Sequence, residues 1–431
     1  VNADTKATNN NTTLSTMKFV KQPFFLTAAI LGGAAATLAQ DSTSLDKLEK
    51  QNQELKARLD ALEDLVKKEG LTPAAPDTNS IKALSQMTIS GFVTASYMHD
   101  FSEPPGGTSP GYLWDRKNDN FSLNKVKLTF ASPPAEFSGD KWDAGYRVSL
   151  IFGQDAPIVN TSATTTGFDV VREAYIDLNV PIGTGLNIKA GELISLLNYE
   201  SGDGGAVNNN FSQGFQWFFT GNPPSAGVQL TYNVTDWLDV KAREQNGMYA
   251  GPVDNNQSKT TMIAVDLKPT KKLWFSLVGF GGREDAFARS LWGGSVLGGF
   301  QATDKLSFGT ELDYFSFYNS PGVTPSGNSP VWSAGLWTAY DFTKKFGAAL
   351  RAEVLSDKNG VDASGGALGF SNPPGTGQDL YSLAFTLNYR PTPSIKIQPE
   401  LRYDHSSCDT GTAFGTKNDR VIAGAGVSYL F

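Results

Sequence analysis

The sequence predicts an all-β chain: a transmembrane antiparallel barrel of about sixteen strands, preceded by a short α-helical coiled coil. Three observations predict it. Runs of about ten residues alternate polar and apolar side chains, as strands with one greasy face do. A short phrase opening on threonine recurs between such runs, at Thr235, Thr270, Thr303, Thr343 and Thr392, and marks a series of tight hairpins. The connections also alternate between short and long, which a barrel with two unlike rims explains and a soluble sandwich does not.

From the N-terminus, residues 1–16 are polar and Thr/Asn-rich without periodicity and read as an upstream translation artefact. Met17 opens a secretory signal peptide over 17–39. Lys18 and Lys21 supply its positive start, Phe24 to Ala36 its apolar centre and Thr37-Leu38-Ala39 its cleavage site. The apolar run is shorter than the roughly 20 residues a spanning helix needs. Residues 40–69 carry a heptad: Leu45, Asn52, Leu59 and Val66 at a, Leu48, Leu55 and Leu62 at d. The other positions are almost all charged or amide, so the seam faces a partner helix, and both dimer and trimer fit it. A Gly/Pro-rich linker over 70–86 ends the helix.

The barrel occupies 87–431. Strands are expected near 87–99, 121–132, 142–154, 168–180, 186–198, 224–235, 237–247, 259–268, 272–281, 290–302, 305–317, 330–342, 345–356, 379–390, 395–405 and 418–431. The two faces separate cleanly: Ile395, Ile397, Pro399, Leu401 and Tyr403 oppose Lys396, Gln398, Glu400, Arg402 and Asp404. Aromatic residues such as Tyr381 with Tyr389, and Trp332 with Tyr340, end the apolar faces where a membrane barrel places its interfacial girdles. The last strand closes on Val427, Tyr429 and Phe431, a C-terminal signal of the kind barrel-insertion machinery reads. All five threonine turns follow even-numbered strands, so they mark one rim, expected in the periplasm with the stalk. The stretch 199–223 follows the fifth strand and leaves room for one further strand at 211–219. Its ordinal position instead suggests a long third loop folded into the barrel, with Glu200, Asp203, Asn208, Asn209 and Asn210 narrowing the passage.

Composition bounds the chemistry. The chain of 431 residues carries a formal charge of −7, so nucleic acid is not an expected partner. The single cysteine, Cys408, excludes an internal disulfide framework. The lumen-facing positions carry both signs: Lys125, Lys127, Arg147, Lys241, Arg243, Arg351, Lys396 and Arg402 beside Glu173, Asp177, Glu311, Asp313, Glu353 and Glu400. Opposed charges across a pore orient polar solutes, whereas a single sign would select ions. The two histidines, His99 and His405, read as exposed loop residues; no nucleophile or metal-ligand spacing surrounds them, so no catalytic residue, metal or cofactor is expected. Two substitutions follow from the faces. Arg351→Leu should alter conduction with little effect on folding, and Leu387→Arg, on the lipid side, should destabilise by about 2–4 kcal/mol if it lies near the midplane.

Several phrases resemble the β-barrel porin-2 family, the OmpL-like group of bacterial outer-membrane proteins. They are Ile89-Ser90-Gly91-Phe92 with Tyr97, Glu173-Ala174-Tyr175-Ile176-Asp177-Leu178, Ile188-Lys189-Ala190-Gly191, and Asn208 to Ser212 leading on to Gly227-Val228-Gln229-Leu230. The resemblance spans the barrel and implies a porin-like channel; it brings no catalytic or ligand motif. The expectation is a water-filled outer-membrane pore for passive diffusion of small hydrophilic solutes or ions, not an enzyme. Its partners would be membrane lipid and, as a homotrimer, copies of itself. The alternative is a structural anchor whose coiled coil tethers the envelope, with peptidoglycan as partner.

Overall fold

The computed structural model falls into two units, Val1–Pro76 and Asp77–Phe431. In the first it describes only residues 50, 53, 54, 56 and 57, which are helical and exposed. In the second it describes 86–431 except 113, 160–168, 222, 250–252, 255, 285–289, 319–326, 364–369 and 410–412. The artefact, signal peptide and linker expected at 1–16, 17–39 and 70–86 lie outside the described residues, Gln86 apart. So do the seam positions Leu45, Leu48, Asn52, Leu55, Leu59, Leu62 and Val66.

The second unit is a closed antiparallel barrel of sixteen strands in sequence order, with the first strand paired to the last. They are β1 (Thr88–Asp100), β2 (Asn120–Ala131), β3 (Asp143–Phe152), β4 (Val171–Val180), β5 (Leu186–Leu193), β6 (Ser225–Thr235), β7 (Leu238–Gln245) and β8 (Thr260–Thr270). Then follow β9 (Leu273–Arg283), β10 (Ser290–Gln301), β11 (Leu306–Tyr318), β12 (Asn328–Asp341), β13 (Phe346–Asp357), β14 (Gln378–Thr392), β15 (Ile395–Ser406) and β16 (Asp419–Leu430). Every expected strand is present, because period-two alternation specifies both the element and which face turns inward. The further strand considered at 211–219 is absent: Phe215–Phe219 forms a short helix, α2, following α1 (Ala156–Val159). Phe215, Phe218 and Phe219 are spaced by three and four residues, the helical period.

The barrel closes through the β1–β16 ladder, from Phe92 opposite Leu430 to Asp100 opposite Ile422, and Phe431 extends it by one pair. Gly91 N donates to Phe431 O at 2.9 Å and Phe431 N to Gly91 O at 3.0 Å. Val427, Tyr429 and Phe431 turn outward and are about half exposed. Side chains alternate around the wall as expected: Leu383, Phe385, Leu401 and Tyr403 lie outside while Ser382, Ala384, Thr386, Glu400 and Arg402 are buried inside. The apolar outer face carries aromatic residues toward both rims, Tyr340, Phe342, Tyr389 and Tyr429 on one and Trp292, Trp332, Tyr381 and Tyr403 on the other.

At four of the threonine turns the hydroxyl accepts a backbone N–H two residues on, at 3.4, 3.2, 3.2 and 3.1 Å for Thr235, Thr270, Thr303 and Thr343. A threonine oxygen thus replaces a backbone partner in a connection too short to supply one. The connection 132–142 departs from this pattern. It is long for its rim and packs onto the wall, with Ala135 N donating to Asp177 Oδ2 at 3.2 Å.

Candidate functional site

The β5–β6 loop, 194–224, enters the barrel and bonds to the inward side chains of β11 to β15. On β11, the Glu311 carboxylate accepts Asn198 N at 3.1 Å and Tyr199 N at 2.8 Å. On β13, Arg351 pairs with the loop's Glu200 at 3.2 Å and with its own strand's Glu353 at 3.1 Å. Farther round, Glu400 on β15 accepts Phe211 N at 2.7 Å and Ser212 N at 3.2 Å, and Arg402 donates to Gln213 O at 2.7 Å. Lys396 Nζ donates to Gly205 O at 2.8 Å and to Asn208 O at 2.5 Å. The inward face of these strands carries both acids and bases, so loop N–H groups meet carboxylates and loop carbonyls meet cations at these positions.

The remaining loop residues attach similarly. Asp203 accepts from Lys127 on β2 at 2.6 Å. Asn209 O accepts Asn388 Nδ2 at 2.9 Å, and Asn210 Nδ2 donates to Thr386 Oγ1 at 2.9 Å. At the loop's end Asp313 on β11 accepts from Gln216 and Thr220, both at 2.7 Å. Strands β5 and β6 carry the loop's ends and β13 to β15 its middle, so it runs across the lumen. Glu200 is fully buried there. Burial pushes its carboxyl above the ordinary range, although Arg351 pulls the other way.

The sixteen strands therefore divide into a covered and an uncovered wall. Arg351, Glu353, Lys396, Glu400, Arg402, Glu311 and Asp313 are all buried beneath the loop, as are Lys125 and Lys127 on β2. On β3 to β8 the loop leaves more room. Arg147, 38% exposed, pairs with buried Glu173 at 2.6 Å, and Lys241, 23% exposed, pairs with Asp266 at 2.5 Å. Lys189 Nζ lies 4.9 Å over the Tyr175 ring. Asp177 is buried against Asn187, and Arg243 donates to Gln229 at 2.7 Å and to Ile194 O at 2.8 Å. Of the fourteen residues expected to line the lumen, Arg147 and Lys241 on this second wall keep contact with water, and the others are buried.

Sequence reasoning missed a second layer at the rim opposite the threonine turns. Phe215 and Phe219 of α2 meet Tyr112, Phe370 and Phe414 from three other loops in one buried apolar cluster. Arg402 stacks 4.4 Å over Tyr112 and Arg420 4.1 Å over Phe414, and both guanidinium groups reach Asp404, at 2.6 and 2.8 Å. Arg172 was missed as well. A bulge opposite Ser149 and Leu150 skips position 172 in the β3–β4 register and turns Arg172 inward beside Glu173. His99 and His405 were expected in loops. They lie on β1 and β15 near the strand ends, bonded to Asp119 at 2.6 Å and Asp419 at 2.9 Å.

The first loop and the β3–β4 connection bring together a buried carboxyl pair. Asp115 N donates to Asp155 at 3.2 Å, and Lys125 reaches Asp155 at 3.3 Å. Burial, then the neighbouring Asp155, push the Asp115 carboxyl up to about 8. A carboxyl raised on folding favours the native state while protonated, so its contribution is full below about 4 and is lost as pH rises through about 8. Hydrogen-exchange protection of residues 101–119 should accordingly fall several-fold between pH 5 and pH 9, and Asp115→Asn should flatten that profile.

A closed sixteen-strand barrel, greasy outside and charged within, with its third long loop drawn inside, defines an outer-membrane protein of the porin class. The chain belongs to the family described as Putative beta-barrel porin-2, OmpL-like, whose model matches residues 86–431. Among solved structures it is similar to the outer membrane channel DcaP of Acinetobacter baumannii, at 15% identity and a TM-score of 0.54, over 80% of this chain and 97% of that one. The anion-selective porin from Comamonas acidovorans aligns at 10% identity and 0.51, over 80% and 99%. The trimer form of OmpT from Vibrio cholerae aligns at 11% and 0.51, again over 80% and 99%. At such identities the likeness is one of fold. No match was found among curated proteins.

Proposed function

We propose that this barrel passes small hydrophilic solutes or ions by passive diffusion, through an opening between the β5–β6 loop and the inward face of β3 to β8. The observation that carries the reading is the loop's uneven attachment. Most of its bonds go to β11–β15, with Asp203 held by β2 and Ile194 O by Arg243 of β7, while Arg147, Lys189 and Lys241 on the other side keep contact with water. Glu200, Asp203, Asn208, Asn209 and Asn210 form the narrowing element. The threonine turns face the periplasm, β16 carries the insertion signal, and residues 40–69 form a periplasmic coiled coil on a homotrimer. No observation favours the anchor reading.

Planar-bilayer recording tests the channel. Purified protein should give discrete, ohmic current steps in concentrated salt. Folded protein that inserts and passes no current would refute the proposal. Native mass analysis of detergent-extracted protein checks the trimer, and monomer alone would remove that part.

A further inference from the structure

The lumen holds a cavity of about 280 Å³ beside Asn208–Asn210, near the rim of the threonine turns. Three aromatic rings from three elements line it: Tyr199 of the loop, Trp274 of β9 and Trp337 of β12. Tyr199 and Trp274 are parallel to within 8° with centroids 6.1 Å apart, and Tyr199 meets Trp337 at 4.8 Å. Space for them is built into the wall. A Cβ on Gly309 would come within 2.0 Å of the Tyr199 ring, and one on Gly299 within 2.2 Å of the Trp274 indole nitrogen. Trp274 is still 39% exposed, a large apolar ring held at a wet surface.

The polar lining is uncharged apart from Glu200, which Arg351 already engages. Asn209 is exposed, and its side-chain amide is in no hydrogen bond among the described residues. Asn210 donates to Thr386 while its own Oδ1 stays buried without a partner. The Trp337 indole N–H lies against the Glu200 carboxylate without closing a hydrogen bond to it. Ser307 adds a hydroxyl. Flat rings with amide and hydroxyl groups at their edges suit a ligand that is apolar on its faces and polyhydroxylated around its rim. A pyranose has that shape, since its C–H faces lie on an aromatic ring while its hydroxyls point sideways. The lining carries no cation to hold an anion.

We infer that the Tyr199–Trp274–Trp337 cavity is a binding subsite for neutral pyranose sugars within the lumen. The inference rests on the channel reading for its biological use, but not for its detection. Calorimetric titration of the detergent-solubilised full chain with glucose and maltose reads binding, and maltose added to bilayers reads interruption of the current.

Saturable heat from a sugar is expected. Trp274→Ala should raise the half-saturating concentration about tenfold, the scale of one lost aromatic contact, and Trp274→Phe should recover most of that loss. No saturable heat from either sugar, an unchanged titration in Trp274→Ala, or saturation only by benzoate would overturn the subsite. Current without sugar binding would remove the subsite and leave the channel. Binding without current would leave the subsite and remove the channel.

Discussion

Arg351→Leu is expected to destabilise the barrel by about 3–5 kcal/mol and to enlarge the single-channel conductance. The sequence alone suggested that this change would spare folding, because a lumen residue was taken to face water. Instead the guanidinium is fully buried and holds Glu200 at 3.2 Å and Glu353 at 3.1 Å while donating to Ser212 of the loop. Removing it leaves two carboxylates buried without their cation, the costly way to break an ion pair. Urea denaturation in detergent reads the stability, and bilayer steps read the opening. Adding Glu200→Gln should restore part of the stability, since it removes one orphaned charge, while the loop remains unpinned and the conductance stays high. Wild-type stability in the single variant would show that the loop does not depend on this clasp.

Leu336→Arg, on the outer face of β12, should cost about 2–4 kcal/mol, the penalty for a cation facing lipid near the midplane. Leu336 is 64% exposed and pairs with Thr310 and Ala352, near the middle of their strands. Leu387→Arg should cost less than the sequence suggested. Leu387 pairs with Ala348, two residues into β13, and so lies toward the threonine-turn rim, where a long side chain can reach water. Folding titrations into lipid vesicles compare the two. Equal costs would contradict the depth assignment.

The wall was legible because strand periodicity is a local property. Lys396, Gln398, Glu400, Arg402 and Asp404 declare their face by alternating with Ile395 to Tyr403, and the pattern repeats wherever a strand must satisfy lipid on one side. What fills the barrel was legible only in part: the position of 199–223 suggested an inward loop, but not the aromatic layer at its rim. Tyr112, Phe370 and Phe414 sit in loops without periodicity, and they meet only because closure brings distant segments over one opening. The same lack of pattern hid the division of the lumen charges into those under the loop and those facing space. Arg172 was invisible for a different reason: a single-residue bulge shifts the inward register by one and leaves no trace in the alternation. The helix at 215–219 did carry a signal, in the spacing of Phe215, Phe218 and Phe219.

The pairing of Gly91 with Phe431 joins nearly the first residue of the barrel to the last of the chain. In the order of synthesis, β1 is the earliest strand of the barrel made, yet one of its neighbours, β16, is the latest. Until then β1 presents unpaired backbone groups along one side, a template for mispairing with any other strand. The contact is also among the most distant in sequence that the chain can make, and such contacts form slowly. The barrel can therefore close only once the chain has been made through β16. Loss of Phe431 would remove two hydrogen bonds from the seam that ends that vulnerable interval.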